Sequence, residues 1–321
     1  MSVDIYLPLV LSVILAVGSG PLSRWLRPAE SVPLLAFAGL VTALAAGLSL
    51  CVLTVTTAAQ LPAIAAVGHW SVVVLQPAVP VPLPLAWVAG SVVAILVFAS
   101  ARRMSLGGQQ LWLARQISRD LGGQARGLVV IDGDRAEAFA VPGAGGRVVV
   151  STAMLNALSG PERRVLLEHE VSHLRRQHHL YVLIAELSSA ANPLLRPLAA
   201  AVRSGVERWA DEDAAASVGD RRLAARALAK ASLAHSNSLR SGSTGWSTQW
   251  LSRAALAMGD HATVGRVRAL LAPEPARRRS VAVALALLVV FAGTSSIDLA
   301  GDADSLFHSA EAPAVSGQAA P

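Results

Sequence analysis

Charged residues make up only 15% of this 321-residue chain, against 53% hydrophobic ones, which is too little charge for an ordinary soluble surface of that size. With a mean hydropathy of +0.51, the chain reads as a membrane protein. Cysteine is nearly missing as well. Cys51 stands alone, which excludes an intrachain disulfide and any cysteine-based metal cluster; set in an apolar run, it reads as a small core or lipid-facing residue. Basic residues are absent from whole regions, namely 28–101 and everything after Arg279. None precedes the first apolar run either, where the only early charge is Asp4, and this argues against a cleaved signal peptide.

Four apolar stretches fill those gaps. Ile5 to Leu22 carries no charge over 18 residues, enough to cross a bilayer at about 1.5 Å per residue. Arg24, Trp25 and Arg27 form a basic, aromatic-anchored turn, and a second stretch over 31–57 completes a helical hairpin. Residues 58–84 hold five prolines and His69 but no Lys or Arg, as expected of an extracytoplasmic loop in which His69 is solvated or interfacial. A third span covers 85–101 and stops at Arg102 and Arg103; a fourth covers 281–297, entered from Arg277, Arg278 and Arg279. With the amino terminus outside, both basic segments lie in the cytoplasm and the segments lacking Lys and Arg lie outside, including an acidic tail over 298–321. Every one of the 27 basic residues agrees with this multi-pass arrangement in the cell membrane.

The cytoplasmic segment, 102–280, is the size of one domain. Ser105 to Leu121 has helical periodicity and meets a stop at Gly122-Gly123. Gly127 to Ile131, Glu137 to Val141 and Arg147 to Ser151 are short β-type runs between turns, which predict a small antiparallel sheet. Ser159-Gly160-Pro161-Glu162 then opens a helix. Strands followed by helices make the domain α+β.

That helix holds the sequence His169-Glu170-x-x-His173. Residues four apart share a helical face, so two neutral imidazoles can bind one Zn²⁺ while Glu170 flanks the site as a general base toward water. With 8 His and 10 Glu in the chain, chance supplies roughly 0.006 such patterns. A catalytic zinc needs a third protein ligand. Downstream, Glu207 and Asp211 are again four apart on one helical face. Glu207 fits the third ligand and Asp211 a carboxylate that orients a ligand imidazole; the competing reading is a solvated acidic face, since Glu212 and Asp213 follow. Leu180 to Val202 is apolar, yet Glu186, Asn192-Pro193 and Arg196 interrupt it, so it reads as a buried or membrane-grazing helix. His178 and His179 read as a basic helix end, His235 and His261 as surface or packing residues, and Arg240 to Trp250 as a mobile loop.

The order His169-Glu170-x-x-His173, Asn192-Pro193, Glu207-x-x-x-Asp211, with spans before and after, resembles the integral-membrane gluzincins of the BlaR/MecR sensor-transducer type. Glu137-Ala138-Phe139-Ala140 is similar to the related HtpX and CAAX-prenyl endopeptidase families. The resemblance covers most of residues 1 to 300. It implies an α-helical membrane protein with an α+β zincin-type metallopeptidase domain facing the cytoplasm, ligands His169, His173 and Glu207, and Glu170 as catalytic base. The antibiotic sensors carry a large extracellular penicillin-binding domain after the last span, where this chain has about 24 residues; direct β-lactam sensing is not expected.

The reading is therefore a zinc endopeptidase that cuts a cytoplasmic or membrane protein, such as a transcriptional repressor or the chain itself, in signalling or quality control. A free strand edge near Ala138 to Val141 is expected to hold substrate as an added strand. A catalytically idle scaffold with a structural metal site is the alternative, opposed by Glu170, which a structural site does not need. A pI near 10.8 raises nucleic acid as a partner, but the arginines are dispersed and form no compact recognition element.

Overall fold

The computed structural model describes residues 7–72, 83–120, 127–143, 146–240, 260–273 and 279–310. In chain order, the described elements are α1 (Leu7–Trp25), α2 (Pro28–Ala58), α3 (Pro62–Gly68), α4 (Leu83–Asp120), β1 (Gly127–Ile131), β2 (Ala138–Val141), β3 (Arg147–Ser151), α5 (Thr152–Ala157), α6 (Gly160–Arg175), α7 (His178–Ala191), a 3-10 turn at Pro193–Leu195, α8 (Arg196–Val218), α9 (Arg221–Arg240), α10 (Asp260–Leu271) and α11 (Arg279–Ala310). The readings at Gly122-Gly123, over most of Arg240 to Trp250, and at the side chain of His261 lie outside the described residues.

Four helices are long and apolar enough to cross a bilayer, over Leu7–Trp25, Pro28–Ala58, Trp87–Leu113 and Ser280–Ala310. Pro28 starts α2 where a missing N–H costs nothing. The span expected over 85–101 and the helix expected from Ser105 are one continuous helix, α4. No Pro or cap separates them, so the helix runs on past Arg102 and Arg103. Similarly, α11 continues beyond Ile297 to Ala310, and its far end meets the segment after α3 through Ser71 N–H donating to Ala310 O at 2.8 Å and Trp70 edge-on to Phe307.

The sheet has the order β1-β3-β2. A wholly antiparallel sheet is incorrect: β1 runs parallel to β3, in register from Gly127↔Arg147 to Ile131↔Ser151, and only β2 is antiparallel to it. The cause lies in the segment after β1. Thr152 Oγ1 donates to Asp132 Oδ1 at 2.9 Å and accepts from Gly133 N–H at 3.2 Å, which carries the chain past the end of β3 and delivers β2 to its other side. β3 is thereby buried throughout, and β2 becomes an edge strand.

α2 is the hub of the membrane bundle, packing on α1, α4, α7, α8 and α11. The 180–202 segment is a helical hairpin, α7 and the start of α8, inserted beside the spans. Leu195, Leu198, Val202 and Val206 share one core with Leu11 and Leu15 of α1 and Val32 and Leu35 of α2. Close approach needs glycine here: a Cβ on Gly205 would meet Val32 Cγ2 at 2.7 Å, and one on Gly39 would meet Leu198 Cδ2 at 2.9 Å. Two polar contacts fix the hairpin's position along α1. Arg208 Nη1 donates to Ser23 O at 2.8 Å near the basic end of α1, while Asn192 Nδ2 donates to Ser12 Oγ at 2.7 Å. Ser12 and Ser23 are about 16 Å apart along a helix of 1.5 Å rise, so the hairpin follows α1 over that length. The break at the hairpin tip leaves little backbone unpaired, because Asn192 Oδ1 accepts from Leu194 N–H at 3.2 Å and Asn192 O from Leu195 N–H at 2.9 Å.

Candidate metal centre

Helix α6 begins where the sequence places it. Ser159 N–H and Oγ both donate to Glu162 Oε2, at 2.9 and 2.8 Å, with Pro161 in the first turn. Lys230 of α9 adds an ion pair to Glu162 Oε1 at 2.7 Å. The helix then packs on α8. Asp213 fixes the register of the two, taking Ser172 Oγ at 2.8 Å, Arg175 Nη2 at 3.1 Å and Arg176 Nε at 3.0 Å.

This packing brings His169, His173 and Glu207 together, with one donor atom from each within 4.8 Å of the others. The two Nε2 atoms are 3.2 Å apart; His169 Nε2 lies 3.6 Å from Glu207 Oε2 and His173 Nε2 3.7 Å from Glu207 Oε1. Tetrahedral zinc with ligands at about 2.0 to 2.2 Å separates its donors by roughly 3.3 to 3.6 Å. The three side chains fit that geometry. Two imidazole nitrogens also face each other this closely only around a shared cation or proton.

The outward nitrogens are held in turn. Asp211, buried behind Glu207, places Oδ1 3.1 Å from His169 Nδ1. His178 and His179 do not close a helix as a basic end but open α7, and His178 is 1% exposed: its Nδ1 lies 3.0 Å from His173 Nδ1, and its ring packs on Trp209 with centroids 4.9 Å apart. Arg266 of α10 is a second residue that sequence reasoning missed. Its Nε and Nη2 donate to the two Asp211 oxygens at 2.8 and 2.7 Å, and its Nη1 lies 3.1 Å from Glu207 Oε2. A lone arginine 55 residues from Asp211 carries no spacing signal. His235 has a packing role, with Nδ1 2.9 Å from Ala136 O.

Electrostatics at the site favour positive charge. Burial works against a charged His169, but hydrogen bonds and charge from Asp211 and Glu207 outweigh it and push the imidazole up to about 10. Burial dominates at His173, which is held down at about 4, and at His178, at about 3. Glu207 and Asp211 stay ionised despite burial because His169 and Arg266 face them. Glu170 differs: burial raises its carboxyl above the usual range, against a backbone hydrogen bond from Ala140 of β2 and the charge of His169.

A cavity of about 380 Å³ opens onto the cluster, lined by Glu170, His173 and Glu207 together with Ala140, Gly107, Leu111 and Leu183. Gly107 permits α4 to approach, since a Cβ there would meet Leu183 Cδ1 at 2.8 Å. Glu186, which also lines the cavity, is clamped between Arg103, at 2.7 Å, and Arg203.

Residues 110–274 match the family model for peptidase family M48. No curated protein and no solved structure matches the chain. Since the matched stretch is just over half of the chain and takes in every element on which the cluster stands, the chain belongs to peptidase family M48, and with four helices able to cross a bilayer it is a membrane zinc metallopeptidase.

Proposed function

We propose that this chain is an endopeptidase that cuts proteins at the boundary between membrane and cytoplasm, with His169, His173 and Glu207 as zinc ligands and Glu170 as the base. The observation that carries the reading is the convergence of three donor atoms at tetrahedral spacing beside a buried carboxylate that is not one of them. Zinc, when bound, supplies a Lewis acid that polarises a carbonyl and acidifies water. Glu170 takes the proton from water as it attacks the peptide carbon and returns it to the departing amine; its raised pKa suits both halves of that transfer. Asp211 holds the His169 ring through Nδ1, and Arg266 keeps Asp211 and Glu207 ionised.

Substrate is held in extended form. The outer edge of β2 offers backbone donors and acceptors beside Glu170, and Ala140 and Val141 line the cavity, so a peptide adds there as a fourth strand. The basic end of α1 lies level with Arg208, next to Glu207, which supports a cleft at the membrane surface. With the amino terminus outside, that surface is the cytoplasmic one. Substrates of this geometry are membrane proteins or proteins brought to the membrane, including repressors in a signalling role or another copy of the chain.

The test is Glu170→Gln in the purified full chain. Zinc content should stay near that of the parent, while cleavage of a casein-type substrate, or self-cleavage in membranes, falls by about 10² to 10⁴. A variant that cleaves as fast as the parent removes Glu170 from the role of base. If neither protein cleaves yet both sustain the same cellular response, the scaffold reading replaces the enzyme.

A further inference from the structure

We propose that His178 is the positioning residue for His173: it accepts the His173 Nδ1–H at its own Nδ1 and so turns the His173 Nε2 lone pair toward the metal. The inference rests on the zinc-site reading above and extends it to a residue outside the ligand set. Both imidazoles of the cluster have the same orientation, Nε2 inward and Nδ1 outward. For His169 the outward nitrogen meets a carboxylate, Asp211, at 3.1 Å. For His173 it meets the ring of His178 at 3.0 Å, with the two planes crossed at 83°.

Only one proton arrangement is compatible with a metal on His173. If His178 donated, His173 would carry its own proton on Nε2 and could not ligate. The donor is therefore His173, and neutral His178 must hold its proton on Nε2. That nitrogen is buried and has no hydrogen-bond partner, an exception that calls for a reason. Its surroundings supply one, for the His178 ring lies against the indole of Trp209, whose π-system is a weak acceptor for an N–H. The unpaired nitrogen is the cost of keeping the other one as an acceptor.

The fold goes out of its way to make this pair. On a continuous helix, a residue five positions after His173 would be about 140° around the axis. Helix α6 stops at Arg175, and Gln177 takes a left-handed conformation at φ 53°, which restarts the chain as α7 and folds His178 back over His173.

The experiment compares His178→Gln, which keeps an acceptor, with His178→Met, of nearly equal length and no comparable acceptor, and His178→Phe, which keeps a ring on Trp209. Zinc affinity of the full chain in detergent is measured by chelator competition, and the visible absorption bands of the Co²⁺-loaded protein report coordination geometry independently of activity. Met and Phe should bind zinc about 10 to 100-fold more weakly and shift the Co²⁺ bands, with Gln restoring most of both. Parent-like affinity and bands in Met and Phe would overturn the proposal, as would an equal loss in all three variants accompanied by an equally lowered unfolding temperature, since packing alone would explain that. A parent that binds neither ion sinks the zinc-site reading itself, and this inference with it; a parent that binds while Met and Phe bind equally well sinks the inference alone.

Discussion

Arg266 shows how much a single side chain can carry. Its guanidinium grips Asp211 with two hydrogen bonds and reaches Glu207 as well, while itself nearly buried. Without it, buried Asp211 and half-buried Glu207 keep only His169 as counter-charge. Removing one member of a buried ion pair costs about 3 to 5 kcal/mol. Arg266→Ala should therefore lower the unfolding temperature strongly in chelator and much less in saturating zinc, because the ion replaces part of the missing charge; equal losses in both conditions would detach Arg266 from the site. Arg266→Lys should recover only part, since an ammonium cannot match both Asp211 oxygens. Asp211→Ala removes the outward partner of His169 and is expected to weaken zinc binding by about 10 to 100-fold, measured by the same chelator competition.

At the scale of elements, two helices decide whether the donors meet. The start of α6 depends on Glu162, whose carboxyl is pulled down to about 2 by Lys230 first and then by the backbone and hydroxyl of Ser159. A lowered folded-state pKa stabilises above the unfolded value of 4.5 and is lost as pH falls from there toward 2. Glu162→Gln should flatten the acid limb of stability against pH and cost about 0.5 to 2 kcal/mol at neutral pH as a lost cap. An unchanged acid limb would show that other groups govern it. The second helix is α8, seated on α2 through Gly205, two residues before Glu207. Gly205→Val pushes a methyl-bearing carbon into Val32, an overpacking worth about 1 to 3 kcal/mol, and should lower both unfolding temperature and zinc occupancy; a variant with parent-like values would mean that the hairpin can shift without moving Glu207.

The whole molecule is a peptidase built into its membrane anchor. Instead of hanging below the spans on a linker, the α7–α8 hairpin shares a core with α1 and α2, and that core continues to Trp209 beside the candidate ligands. Detergents that loosen the spans should therefore release zinc, which a tethered soluble domain would retain. Topology is checked by labelling. On a Cys51→Ala background, a cysteine at Arg24 should react with a membrane-impermeant maleimide only when the cytoplasmic side is exposed, and one at Asp304 only from outside. A cysteine at Leu194, at the hairpin tip, should resist labelling from both sides. Ready labelling there would place the hairpin outside the bilayer.

What was legible in the sequence alone is whatever repeats at short range. Apolar length announced four candidate spans, basic residues their expected orientation, and the four-residue spacing of His169 and His173, and of Glu207 and Asp211, announced two helical faces able to share an ion. Those signals are local because helix periodicity and bilayer thickness are local constraints. Tertiary structure decided the rest. It set the α6–α8 register that brings Glu207 to the histidines, the crossing of 132–137 that made β2 an edge, and the seating of the hairpin against α1 and α2. It also recruited Arg266 from a distant helix and His178 through a left-handed turn at Gln177. No periodicity encodes these, since each depends on where separate elements come to rest, and that is settled by packing and by the pairing of buried charge.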